Sequence, residues 1–179
     1  LPLFIYAALA LVIWGLYRER RAFDRWGAIL AALAFLASLA VRPNQHLLFF
    51  DEDIYIQIAS NMSHVPVAQL SVLGGPGEIT TSTYYKEPAG FPALLGLAFV
   101  LTGTREAVAF IIARLIYAMA VAAAYLVARE LLKDRDQAIT AAVLFAATPA
   151  CFAFSASTGT DLSAALFVAL AVFGLMRGN

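Results

Sequence analysis

Three acids, Asp51, Glu52 and Asp53, stand together in the stretch FFDEDIYIQIASNM on a chain otherwise dominated by apolar residues. Carboxylates in such a place have two uses. They cap the N-terminus of a helix and complement its dipole, or they form a functional site, since ionisable groups at a membrane are costly to keep. One acid suffices for a cap, and three close together repel one another. A further acid, Asp161, follows the polar break SASTGT and begins the last apolar stretch. Two cations complete the set. Lys86 sits beside Glu87 in YYKEPAG, where two tyrosines and a lysine also suit an interfacial anchor. Arg114 lies inside the apolar stretch AVAFIIARLIYAMAVAAAYLVA, about two turns from its start. A guanidinium at that depth either snorkels outward or meets a phosphate at the lipid boundary.

The elements that must position these residues follow from composition. Hydrophobic residues make up 62% of the chain and charged ones 13%, with a mean hydropathy of +0.80. Soluble domains carry about 25% charged residues, so the chain reads as an all-α polytopic membrane protein. A formal net charge of zero removes any global electrostatic case for nucleic acid. The single cysteine, Cys151, leaves no disulfide framework or cysteine metal site within the chain. With Leu at its first position and no signal peptide, the sequence reads as a piece of a longer protein.

A crossing helix needs about 20 apolar residues. Candidate spans are 1–17, 26–41, 107–128, 137–155 and 161–176, forming a single transmembrane module over residues 1–179. The apolar run 89–103 would reach only about 22 Å as a helix and suits an interfacial position. Arg18, Arg20, Arg21, Arg25, Arg129, Lys133, Arg135 and Arg177 then all fall on the cytoplasmic side. Asp51, Glu52, Asp53, Glu78, Glu87 and Asp161 all fall on the other. The long outer loop, 42–106, holds a second interfacial helix over 54–65. Ile54, Ile58, Met62 and Val65 share one face there, Gln57, Ser60, Asn61 and His64 another, and Pro66 ends it. Residues 73–88 are rich in turn formers. Asn61-Met62-Ser63 fits the glycosylation acceptor pattern.

Taken together, these motifs resemble a family. Asp51-Glu52-x-x-Tyr55, followed by a surface helix bearing Ala59 and Met62, is similar to the first acidic motif of the GT-C glycosyltransferases. The branch meant is that of the dolichyl-phosphate-mannose protein mannosyltransferases and the lipid A aminoarabinose transferases. YYKEPAGFPALLGLAFVLTG resembles that branch's lysine-proline segment and the membrane-surface helix after it. ARLIYAMAVAAAYLVARELLKDRDQAITAAVLFAATP is similar to the next helix pair, with Arg114 at the place of an arginine. STGTDLSAALF resembles the second acidic motif, with Asp161 as its acid. Glu87 after Lys86, and a span 1–17 ahead of the usual first helix, depart from the pattern.

The resemblance implies an inverting transfer of sugar from a polyprenyl-phosphate carrier, a dolichyl phosphate among them, to a protein, lipid or glycan acceptor. The reaction would run on the extracytoplasmic face of a plasma or ER-type membrane, in protein glycosylation or cell-envelope synthesis. It implies Asp51 as general base, with Asp161 positioning the acceptor or a metal and Glu52 as a second catalytic acid. Lys86 and Arg114 would neutralise the carrier phosphate, and Tyr55 and Tyr85 would line the acceptor or sugar pocket. A divalent metal is compatible with the family, whose members differ in metal dependence, and neither His46 nor His64 is assigned as a ligand. A transporter or flippase of a lipid-linked sugar or anion, and a non-catalytic membrane scaffold, are the alternative classes. The piece itself need not be active.

Overall fold

The computed structural model describes residues 7, 10, 14, 24–44, 46, 51–64 and 90–178. Among them are seven helices and no strand. They are α1 (Arg25–Val41), α2 (Glu52–His64), α3 (Gly90–Thr102), α4 (Glu106–Leu132), α5 (Arg135–Ala147), α6 (Pro149–Phe154) and α7 (Asp161–Arg177). The expected span 1–17 and the turn-rich stretch 73–88 fall almost wholly outside the described residues.

α4 is the axis of the molecule, with α1, α5 and α7 packed around it. It can take three neighbours because its buried positions include Ala109, Ala113, Ala118, Ala120 and Ala123, which let other backbones approach closely. Between these small residues Tyr117, Val121 and Leu126 fill the core with Leu30, Leu166 and Phe173 from the surrounding helices. α4 is also the one described helix long and apolar enough to cross a membrane unaided, at 27 residues or about 40 Å. It continues past the apolar stretch 107–128 because Arg129, Glu130, Leu131 and Leu132 are all good helix formers. It stops at Lys133, whose left-handed φ of 54° turns the chain back.

Polar contacts fix the helix ends. Asp24 caps α1 by accepting from the amides of Trp26 (3.0 Å) and Gly27 (3.2 Å), and its other oxygen accepts from the Tyr125 hydroxyl of α4 at 2.7 Å. Asp134 caps α5 through the amide of Gln137 at 2.8 Å. The stretch 137–155 divides into α5 and α6 at Thr148-Pro149. Proline has no amide hydrogen to continue the first helix but suits the first turn of the next.

α2 and α3 form a separate pair at one end of the bundle, packed face to face. They approach closely at Gly96, where an added Cβ would stand 3.1 Å from the Ala59 carbonyl oxygen and 3.3 Å from the Met62 Cβ. Ile58, Met62 and Ala93 form a small apolar cluster there. The polar face read from the sequence of α2 is partly closed, with Gln57 half-buried and His64 exposed. Ser60 and Asn61 are buried as well, which withdraws Asn61 from any glycosylating enzyme.

Candidate active site

After α1, residues 42–44 and His46 lie toward the acids that open α2, and two buried charges hold them. Glu52 and Arg114 are the only charged side chains among the described residues to be fully buried. Arg114 donates from Nη1 to Asn44 Oδ1 at 2.7 Å and to the Phe110 carbonyl at 3.3 Å, and from Nη2 to the Arg42 carbonyl at 2.8 Å. Arg42 in turn donates to the Ala153 carbonyl of α6 at 3.3 Å. Burying a guanidinium is costly unless its donors are met, and these bonds meet most of them. The Nε atoms of Arg42 and Arg114 are buried with no hydrogen-bond partner among the described residues. The charge of Arg114 is therefore turned inward onto the chain's own carbonyls, with 2% of the residue exposed.

On the other side of the segment stands His46. Its Nδ1 lies 2.9 Å from Glu52 Oε2 and its Nε2 lies 2.8 Å from Glu106 Oε1 at the start of α4. Asp53 Oδ1 is 3.7 Å from Nδ1, and the Phe110 ring lies 5.2 Å away, tilted by 59°. Burial works against protonation of the imidazole, but the hydrogen bonds to Glu106 and Glu52 and the charges of Asp53 and Glu52 prevail and hold its pKa above the ordinary histidine value.

The second oxygen of Glu52 accepts a hydrogen bond from the Ser157 hydroxyl, a residue 105 positions further along. Ser157 belongs to the turn between α6 and α7. That turn is held to α1 by Ser155, whose hydroxyl lies 2.7 Å from that of Ser38. A Cβ on Gly159 in the same turn would stand 3.5 Å from Ser157 Oγ and 3.7 Å from Asp161 Oδ2. The hydroxyl of Thr158 is buried there with no partner among the described residues. The bond from Ser157 to Glu52 thus joins the segment carrying Asp161 to the segment carrying Asp51.

Asp51 and Asp161 share a disposition. Each is exposed at the start of a helix, and neither carboxylate has a hydrogen-bond or ion-pair partner among the described residues. The backbone carbonyl of Asp51 accepts from the Tyr55 amide at 3.0 Å, but its side chain is not spent on a cap. Asp53 is exposed as well. Tyr55 is buried between α2 and α3, edge-on to Phe91 with ring centroids 6.4 Å apart. Lys86 and Tyr85 lie outside the described residues. Among the described residues no group of three or more His, Cys, Asp or Glu side chains is arranged to hold a metal ion.

Sequence reasoning left His46, Ser157, Asn44 and Glu106 without a role. Ser157 carried a faint signal, as part of a polar break in an apolar region. His46 carried none, because its partners lie 6 and 60 positions away.

This arrangement offers exposed carboxylates that could take a proton, fixed in place by a buried acid and a histidine. Residues 86–178 match the family model described as dolichyl-phosphate-mannose-protein mannosyltransferase, a stretch that holds Lys86, Arg114 and Asp161 and begins after Asp51. Neither a curated protein nor a solved structure matches the chain. Since the family model covers just over half of the sequence, the chain belongs to the dolichyl-phosphate-mannose-protein mannosyltransferase family.

Proposed function

We propose that this chain is the membrane module of an inverting glycosyltransferase that moves a sugar from a polyprenyl-phosphate carrier to an acceptor hydroxyl on the extracytoplasmic face. The observation that carries the reading is the hydrogen bond from Ser157 to buried Glu52, which ties the two acidic motifs into one end of the bundle. Two further features support it. Arg129, Lys133, Arg135 and Arg177 gather at the opposite end of α4, the pattern expected of a cytoplasmic side. Leu33, Leu36, Leu97, Val100 and Leu175 are exposed on the outside of their helices, as in a multi-span module whose outer surface faces lipid.

In this reading the acceptor oxygen attacks the anomeric carbon from the face opposite the phosphate. The new carbon–oxygen bond forms as the bond to phosphate breaks, and the carrier phosphate leaves with the electron pair. Asp51 takes the hydroxyl proton, a role open to its exposed carboxylate, which has no partner among the described residues. Asp161 orients the acceptor from the other motif. Glu52, enclosed by His46 and Ser157, fixes the start of α2 rather than touching substrate. Lys86 neutralises the departing phosphate. Arg114 serves that region through the segment 42–46 that it grips, so its part is positioning. Tyr55 and Tyr85 are assigned to the acceptor or sugar pocket.

The test is transfer from a polyprenyl-phosphate sugar by the full-length protein, run beside a carrier-binding measurement. Asp51→Asn keeps the shape but removes the basic oxygen, and loss of a positioned base costs about 100- to 10,000-fold in rate. Carrier binding should survive in Asp51→Asn and weaken in Lys86→Ala. Transfer at the parent rate by Asp51→Asn would remove Asp51 from the chemistry.

A further inference from the structure

His46 bridges two carboxylates that belong to different helices, and it does so with both ring nitrogens. Nδ1 faces Glu52 of α2 at 2.9 Å and Nε2 faces Glu106 of α4 at 2.8 Å. A neutral imidazole owns one N–H, so it could donate to one of these acids only, and its lone pair would face the other. An imidazolium donates to both. Two charge-assisted hydrogen bonds from one cation, one of them to a carboxylate with 2% of its side chain exposed, make a firm joint.

We propose that His46, as an imidazolium, is the positioning residue that clamps the first acidic motif to the central helix. The joint continues beyond the histidine, because Glu52 also accepts from Ser157. A continuous chain therefore runs from Glu106 through His46 and Glu52 to Ser157, linking the starts of α4 and α2 to the turn that carries Asp161. When His46 loses its proton, one of the two bonds is lost and Glu52 becomes a buried, less compensated anion.

The charged groups facing the ring among the described residues are Glu52 and Asp53 from α2 and Glu106 from α4. Among the described residues, Arg114 acts on it at one remove. Arg114 donates to the carbonyl of Phe110, whose ring lies against His46, and to Asn44 and Arg42 in the segment that carries His46. Three acids against one ring favour its charged form, in the same direction as the raised pKa of the group.

This inference rests on the transferase reading for its consequence but not for its geometry, and the experiment separates the two. In the full chain reconstituted in lipid bilayers with labelled histidine, His46 is identified by difference against His46→Gln. Its ring should titrate above the ordinary value of about 6.5. Glu106→Gln, an exposed substitution that leaves the core untouched, should lower that titration point. In the transfer assay, kcat should fall on the alkaline side as His46 deprotonates, and Glu106→Gln should move that limb to lower pH. His46→Arg, which keeps a permanent cation, should retain transfer and lose the alkaline limb, with donor KM little changed. A His46 that titrates at or below about 6.5, or that ignores Glu106→Gln, overturns the clamp. Transfer with an alkaline limb that neither variant moves overturns its positioning role while the transferase reading stands. No transfer at any pH beside the expected titration sinks the transferase reading and leaves the clamp in place.

Discussion

Glu52 and Arg114 carry opposite charges into the interior, and the chain meets each from a different source. Arg114 is met by backbone carbonyls and an amide oxygen, which hold a shape. Glu52 is met by a hydroxyl and an imidazole, and the imidazole can change charge near neutral pH. A third polar residue, Asp24, works at the far end. Burial opposes its ionisation, but the Tyr125 hydroxyl, the amides of Gly27 and Trp26 and the charge of Arg129 hold its carboxyl below the ordinary range. A depressed carboxylate contributes stability above its unfolded pKa and loses it as pH falls through the folded one. Asp24→Ala should therefore cost about 0.5–2 kcal/mol at neutral pH, with the gap to the parent narrowing below about pH 3.9. Thermal unfolding of the purified protein across that range checks it, and a gap that widens in acid would contradict the assignment.

At the scale of elements, the acidic end depends on how α2 seats against α3. Helices of 13 residues gain little from their own backbone bonds, so tertiary packing must hold them. Gly96 sets that packing, because the atom nearest an added Cβ is a backbone oxygen that cannot swing aside. Gly96→Val should cost about 1–3 kcal/mol through overpacking and reduce transfer by displacing the start of α2. Gly174 is the matched control, since its Cβ would meet nothing within 4 Å. Gly174→Ala should be neutral or stabilise by up to about 1 kcal/mol. Equal effects at the two glycines in a thermal unfolding assay would mean that the α2–α3 contact is not close-packed.

For the whole molecule the decisive question is sidedness. Acids and their histidine gather at the start of α4, and Arg129, Lys133 and Arg177 gather at its end. Thr102 and Asp136 are exposed near these opposite ends. With Cys151 replaced by alanine, Thr102→Cys should react with a membrane-impermeant thiol reagent on intact cells, and Asp136→Cys only after lysis. Labelling of position 136 from outside would place the acidic motifs on the cytoplasmic face and remove the proposed extracytoplasmic site.

The all-helical character was legible in the sequence, because long apolar runs separated by charged turns have few other outcomes. So was the family, whose model matches residues 86–178. The acids at 51–53 stood out by chemical type alone, but type did not divide their roles. Glu52 and Asp51 are adjacent in sequence, yet one is buried against Ser157 and the other is exposed. Only packing decides that, because a helix start turns successive side chains about 100° apart and the neighbours determine which is enclosed. His46 is the extreme case. Its meaning lies in partners on two other helices, and a bridge between distant segments leaves no periodicity or local motif for a sequence to display.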